Sequence, residues 1–317
     1  MKEYVGPEID VTLSIVNTNN GPLLKRFLDT IKDTTRKVRY EIIVVDNASN
    51  DGSVEMLASQ YPDVRVIRNA SREGYGSCHN RAIEVSRGEY ILVLNEDMEM
   101  VNDAVDRMIE KAREIDDLGV MGCRLLNPDS SLQHSCFKFR SLTQELFEAV
   151  FPYTLVFKNS RMRSKMFYWN HDVQRDVDIV LGCCMLIPRR VIAAIGMFDP
   201  SFFVYSEEDD FCKRARAKGF RVVFTPDAAI IHVGGQTSRH MSLKMHLVQL
   251  SSKTRYFRKH HGMIASVFFR VIVGIGAIVR LTGWGGLYLL KKGGSNDSKS
   301  RLRESWASLK FALNSNA

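Results

Sequence analysis

The chain has 317 residues, of which 45% are hydrophobic and 25% charged, and a formal charge of +8. That length holds one large domain or two smaller ones with a sizeable core, and the composition excludes a disordered or collagen-like chain. The charge is uneven: residues 1–238 carry a net −4 and residues 239–317 a net +12. A basic final quarter points to a membrane surface or a nucleic acid, or is only a solvated basic face.

Taken in order, Met1–Asp10 lacks a basic stretch followed by an apolar one, so no secretory leader is expected. Val11–Val16 is a β-branched strand ended by the turn residues 17–21. Leu23, Leu24, Phe27, Leu28 and Ile31 mark one helix face. Further strands are expected at 40–45, 64–68 and 90–94, with helices at 54–61, 76–86 and 103–115. The continuous apolar runs 42–45 and 91–94 predict strands buried on both faces of a parallel sheet in an α/β nucleotide-binding fold. Residues 130–175 are aromatic and irregular, suited to a lid or acceptor wall. Residues 177–187 form a buried strand, 189–195 and 208–218 helices, and 220–224 and 228–232 short strands. The six cysteines form no C-x-x-C pair and no zinc spacing, which favours reduced thiols in a cytoplasmic protein.

Ligands of such sheets bind beyond the C-terminal ends of the strands. Asp46, Asn47, Ser49 and Asp51 follow one strand and suit a base or ribose, or an Asx-turn capping the next helix. Asn95-Glu96-Asp97 follow another, and clustered carboxylates there need donors or a hard cation such as Mg²⁺ or Mn²⁺ carrying a diphosphate. Glu207-Glu208-Asp209-Asp210 open a helix, where the macrodipole favours them, but their mutual repulsion raises proton affinity as a general base requires. His232, before two glycines, could ligate a metal or serve only the core.

In their order, V-V-D-N-A-S-N-D-G-S (44–53), G-Y-G-S-C-H-N-R-A (74–82), L-N-E-D (94–97), G-C-C-M-L-I-P-R-R (182–190), the run 196–214 and I-H-V-G-G-Q-T-S (231–238) resemble family 2 glycosyltransferases. The resemblance covers roughly residues 10–260. It is nearest to bacterial rhamnosyltransferases of cell-surface polysaccharide assembly. It implies a GT-A fold and inversion at the anomeric carbon. The implied donor is a nucleotide sugar, with deoxythymidine-diphosphate rhamnose first and UDP-sugars next. On the matching positions it implies donor contacts from Thr18, Asn19, Asp46, Asn47, Asp51, Gly76, Asn80, Asn95 and Glu96, and acceptor contacts from Gly182 and Cys183. It implies Asp97 as principal ligand of Mn²⁺ or Mg²⁺, with His232 near the metal and diphosphate. The catalytic base falls among Glu207, Glu208 and Asp210, with Glu208 where the family usually has Asp.

Residues 263–290 are the most apolar stretch, but Arg270 and Arg280 interrupt it and Lys291 and Lys292 follow. A spanning helix needs about 20 apolar residues, so an interfacial helix fits better, with a helix packed on the body or on a second copy in a homodimer as the alternative. The expectation is therefore a catalytic domain over residues 1–260 and a basic, amphipathic helical segment over 261–317 that associates peripherally with the inner face of the cell membrane. The acceptor would be a lipid-linked or polysaccharide glycan. No nucleic acid partner is expected, since the long apolar run argues against a phosphate-gripping tail. A catalytically silent nucleotide-sugar-binding subunit is the other reading.

Overall fold

The computed structural model describes residues 8–150, 169–234, 242–290 and 296–314, leaving out the side chains of 284–290 and 296–298. By packing, the chain forms two units: Met1–Phe139, His171–Phe203 and Glu207–Gln236 make the first, and Arg140–Asn170, Val204–Ser206 and Thr237–Ala317 the second.

The first unit is a mixed sheet with helices. Its first half is parallel: β1 (Val11–Asn17) lies between β2 (Tyr40–Asp46) and β4 (Tyr90–Asn95), with β3 (Arg65–Arg68) beyond β2. These strands alternate with α1 (Gly21–Thr34), α2 (Ser53–Gln60) and α3 (Tyr75–Val85). All seven residues of β1 are buried, as a strand covered by helices on both faces requires. Strand order reverses between β1 and β4, the kind of switch at which open α/β sheets place ligands.

The second half departs from the sequence expectation. The expected strand at 177–187 is two, β10 (Ile179–Val180) and β11 (Cys184–Pro188), separated by a turn. β11 runs antiparallel to β4 and neighbours β6 (Leu118–Leu126). The two strands expected at 220–224 and 228–232 are one, β12 (Arg221–His232), whose pairing with β6 shifts register between Thr225 and Ala229. β5 (Met98–Val101) and β6 were not anticipated. β5 alternates buried and half-exposed residues as an edge strand does, paired antiparallel to β12. Short β7 (Leu132–Gln133) pairs with β6, β8 (Cys136–Phe137) with β10, and β9 (Arg175–Asp176) with β12. Helices α4 (Ala104–Arg113), α6 (Arg189–Ile195) and α7 (Glu207–Ala217) complete this unit. The six thiols are buried and free, with Cys123 and Cys184 Sγ 3.6 Å apart.

Two buried polar side chains hold the parallel half. Asp106 of α4 accepts from the backbone N–H groups of Arg36, Lys37 and Val38, closing the loop between α1 and β2. His79 of α3 pairs through Nδ1 with Ser14 Oγ at 2.7 Å, and burial pushes its pKa down to about 3.

The second unit is helical: α5 (Leu142–Val150), α8 (Leu243–Leu290) and α9 (Asn296–Leu313). α8 is interrupted at Gly262 (φ 87°, ψ 173°). Glycines permit close helix approach on its inner face. A Cβ on Gly276 would stand 2.9 Å from Ala149 Cβ of α5, and one on Gly274 3.3 Å from Ala312 Cβ of α9. Arg270 donates to the carbonyls of Phe311 and Ala312, and Lys253 pairs with Glu145 at 2.9 Å. α8 is long and apolar enough to cross a membrane by length and composition alone. Within the expected lid or acceptor wall, residues 151–168 lie outside the described residues.

Replacing Asp106 by Ala strands three backbone donors, so stability should fall by about 2–4 kcal/mol in urea unfolding; a loss under 0.5 kcal/mol would contradict this role. His79 sets an acid limb. The unfolded chain binds a proton at His79 below about pH 6.5, whereas the folded chain resists until about pH 3. Stability from this group is therefore complete above pH 6.5 and declines by up to about 1.4 kcal/mol per pH unit on acidification. His79→Gln should flatten that limb in a series of unfolding curves between pH 4 and pH 7.

Candidate active site

Three parallel strand ends meet because β1 registers Asn17 against Asp46 of β2 and Val16 against Asn95 of β4. Asn17 is fully buried, and its Nδ2 lies within 3.2 Å of Asp46 Oδ1, Ser49 Oγ and Ser53 Oγ. Asp46 in turn accepts from Ser49 N–H through its second oxygen. The two adjoining loops carry left-handed non-glycine residues, Asn19 (φ 53°) and Ala48 (φ 57°), a strain held by the network around them. Asn19 is bonded into it twice, through its N–H to Ser49 Oγ and its Oδ1 from Asn50 N–H. Thr18, between Asn17 and Asn19, is half-buried.

Asp51 and Asn47 do structural work in this loop. Asp51 accepts from Gly21 N–H at the start of α1 and from Ser53 at the start of α2. Burial pushes its carboxyl up, but the hydrogen bonds from Ser53 and Gly21 outweigh that and hold it below the usual range. Asn47 clamps the backbone of Glu73 through both amide ends. Asn80 does the same to Phe198, donating to its carbonyl at 2.8 Å and accepting from its N–H at 3.0 Å. A Cβ on Gly76 would stand 2.9 Å from Phe198 Cβ. Gly76 and Asn80 therefore seat the 196–203 loop, whereas Asp46 stands at the strand ends.

At the end of β4, Asn95 N–H reaches Cys183 O, a contact the antiparallel β11 creates by bringing Gly182 and Cys183 alongside. Tyr75 bridges the two segments: its hydroxyl donates to Asn95 Oδ1 at 2.7 Å and lies 3.1 Å from Gly182 O. Burial, then the nearby Cys183, Glu207, Glu96 and Glu208, push that hydroxyl well above its ordinary pKa. Burial, with Asp97 alongside, pushes Glu96 up to about 7, and Asn20 Nδ2 approaches its Oε1 at 3.4 Å.

Asp97 meets His232 because β12 pairs antiparallel with β5, and Val233 N–H donates to Asp97 O. His232 Nε2 stands 3.3 Å from Asp97 Oδ1, a buried oxygen with no hydrogen bond. The other ring nitrogen, Nδ1, is 2.9 Å from Gln133 Oε1 of β7. With Nδ1 donating to that oxygen, Nε2 turns a lone pair on the carboxylate, and two facing acceptors require a proton or a cation between them. Gly234 closes over the pair: a Cβ there would stand 2.4 Å from His232 Nε2 and 2.7 Å from Asp97 Oδ2. Among the described residues no group of three or more His, Cys, Asp or Glu is placed to hold a metal ion. The pair fits a cation whose remaining ligands come from a bound phosphate.

The four acids at the start of α7 separate in the fold. Asp210 is fully buried and ion-paired with Arg214 at 2.8 Å, which also donates to the carbonyls of Ile195 and Met197. Glu207 is buried, its Oε2 has no hydrogen bond, and burial together with Glu208 pushes its carboxyl well above the usual range. Glu208 is half-buried and rests against Gly182, whose Cβ would stand 3.5–3.7 Å from its side chain. Burial, then Cys184, Asp97 and Glu208, push the Cys183 thiol well up, so these groups share one neighbourhood. Of the two phenylalanines shortly before α7, Phe202 is buried and Phe203 is 47% exposed.

Sequence reading missed Asn17, Asn20, Tyr75 and Gln133. Tyr75 stood inside the G-Y-G motif, and a tyrosine between two glycines was a usable signal. Gln133 had none, since only the β6–β7 pairing carries it to His232.

Known proteins were compared with this chain by sequence and by fold. The chain is 26% identical over 235 residues to an N-acetylglucosaminyl-diphospho-decaprenol L-rhamnosyltransferase of Mycobacterium tuberculosis, covering 68% of this chain and 74% of that protein. It is also 26% identical over 235 residues to an O-antigen biosynthesis protein of Myxococcus xanthus, covering 70% of this chain and 17% of that much longer one. Among solved structures, the mannosyltransferase PcManGT from Pyrobaculum calidifontis, in complex with GDP-Man and Mn²⁺, superposes with a TM-score of 0.55 at 16% identity over 98% of this chain and 89% of that one. GalNAc-T7 with UDP, GalNAc and Mn²⁺ gives 0.54 at 15% identity over 80% of this chain and 50% of that one. These likenesses make the fold GT-A. The pattern of glycosyl transferase family 2 matches residues 12–196, more than half of the chain, and the protein belongs to that family.

Proposed function

We propose that this protein transfers a sugar, with inversion at the anomeric carbon, from a nucleoside-diphosphate donor to a hydroxyl of a lipid-linked or polysaccharide glycan at the cytoplasmic face of the membrane. The observation that carries this reading is the meeting of Asp46, the Asp97–His232 pair and Glu208 around the ends of β1, β2, β4 and the start of β11. Rhamnose is the sugar we favour, because the Mycobacterium tuberculosis relative is named for transferring L-rhamnose to a polyprenyl-diphosphate-linked sugar.

In this reading Asp46, set by Asn17, accepts from the base or ribose of the donor. Asp97 and His232 would hold a divalent cation, Mn²⁺ or Mg²⁺, which when bound neutralises charge on the departing diphosphate. Glu208 takes the proton from the acceptor hydroxyl while that oxygen attacks the sugar C1. As the new C–O bond forms, the bond from C1 to the phosphate oxygen breaks on the opposite face, and one displacement inverts the centre. Burial and the adjacent Glu208 push the Glu207 carboxyl well above the usual range, so Glu207 is not the group assigned to take the proton. Asp210 is committed to Arg214 and takes no part in proton transfer.

Glu208→Gln should lower sugar transfer about 10²–10⁴-fold while the thermal stabilisation by nucleoside diphosphate stays intact; full turnover in that variant would remove Glu208 from the base role. Asp97→Asn should abolish the part of that stabilisation that depends on Mn²⁺, read as a shift in melting temperature with and without the ion. An unchanged Mn²⁺ effect would place the ion elsewhere. In the same assay, a screen of nucleotide sugars should single out deoxythymidine-diphosphate rhamnose, and a larger shift with a UDP-sugar would replace it as the donor.

A further inference from the structure

α8 has two apolar faces, and only one is used inside its unit. After the interruption at Gly262, Phe269, Ile272, Val273 and Ala277 are buried toward α5 and α9. Ile264, Val267, Phe268, Val271, Ile275 and Ile278 are 40–74% exposed. At 3.6 residues per turn these six fall within an arc of about 100° and run for about 21 Å. A contiguous apolar stripe of that size on a protein surface marks an interaction site.

Charge decides the occupant. No aspartate or glutamate occurs anywhere in Leu243–Leu290, and residues 239–317 carry a net +12. The turns just before Gly262 expose Arg255, Arg258 and Lys259 at i, i+3 and i+4. An apolar face preceded by a cationic one, with no acid in the helix, complements an anionic lipid surface: acyl chains for the stripe, headgroup phosphates for the cations. A second copy of the chain would present the same cations to one another.

The inner face decides the orientation. α9 lies along it, tied by Arg270 and by the close approach at Gly274, and α9 bears Arg301, Arg303, Glu304 and Lys310. A membrane-crossing α8 would carry these charges into hydrocarbon. We infer that the outward face of α8, from Ile264 to Ile278, lies in the plane of an anionic bilayer with its stripe in the acyl boundary. This deepens the membrane location proposed above and does not depend on the donor, the metal or the base.

The test is flotation of the full chain with vesicles of phosphatidylethanolamine containing phosphatidylglycerol, against vesicles of phosphatidylcholine alone. The wild type should float with the anionic vesicles, less so as salt rises, and exchange to a second vesicle population. Val267→Ser/Phe268→Ser/Val271→Ser should cut partitioning at least about 100-fold, with the melting temperature and the nucleotide-induced shift unchanged. That unchanged shift separates failure here from failure of the catalytic reading. A wild type that ignores both vesicle types, equal binding to neutral vesicles, or a triple variant that floats undiminished would each overturn the inference. A wild type that never exchanges would indicate a spanning helix, and a triple variant that turns a dimer into a monomer without changing flotation would assign the stripe to a second copy; either result overturns it.

Discussion

The site depends on one pairing, the antiparallel register of β11 on β4. Placing Cys184 opposite Leu94 carries the preceding turn, Gly182–Cys183, to the end of the strand that bears Asn95-Glu96-Asp97. The backbone bond from Asn95 to Cys183 and the Tyr75 bridge then lock the two segments together. Glu208 is positioned against that same turn. A one-residue slip would turn each side chain of β11 to the opposite face, exchanging Met185 and Ile187 with Cys184 and Leu186 between two buried faces and moving the Gly182 turn away from Glu208. An antiparallel neighbour in an otherwise parallel half-sheet is what allows a segment about 90 residues later in the chain to enter at the ligand end of β4.

Around that pairing the fold collects carboxylates that would repel one another in water. It handles them in three ways. Asp51 is satisfied by backbone N–H groups and becomes part of the scaffold. Asp210 is neutralised by Arg214. Glu96, half-buried, and Glu207, buried, are raised in proton affinity and resist ionisation. Asp97 faces an imidazole nitrogen and Glu208 lies half-buried against a glycine, and these are the two we propose for the chemistry. Burial and partners, more than residue type, thus sort one set of acids into members bonded into the scaffold and members raised in proton affinity.

The second unit answers a different constraint. A helix that is apolar all round is stable only if both faces are covered. α5 and α9 cover the inner face of α8, with glycines allowing the approach and Arg270 capping the carbonyl end of α9. The uneven charge of the sequence resolves into the same division, since the basic residues of 239–317 belong to this unit and the clustered acids 95–97 and 207–210 to the other.

The parallel half of the sheet, the polar strand ends and the family were legible in the amino-acid sequence, because they are local: apolar runs, turn residues and motifs in a fixed order. The strands β5 and β6 were not, as β5 is short and β6 carries two glycines and an arginine that mask its apolar character. Nor was the join of 220–224 to 228–232, since Pro226 and Asp227 read as a turn but are absorbed by a register shift. In the site, the acids were readable as a group from their spacing, yet their separate environments were not. That Asn47 and Asn80 bind backbone and that Gln133 orients His232 follow from long-range pairing and burial, whereas the Asp210–Arg214 pair is an i,i+4 contact within α7. The sequence by itself determined which chemical groups the protein has and which strands begin its fold; only the tertiary structure decided which carboxylates are bonded to backbone and which are raised in proton affinity, because that is set by the solvent each one loses and the partners it gains when distant strands pair.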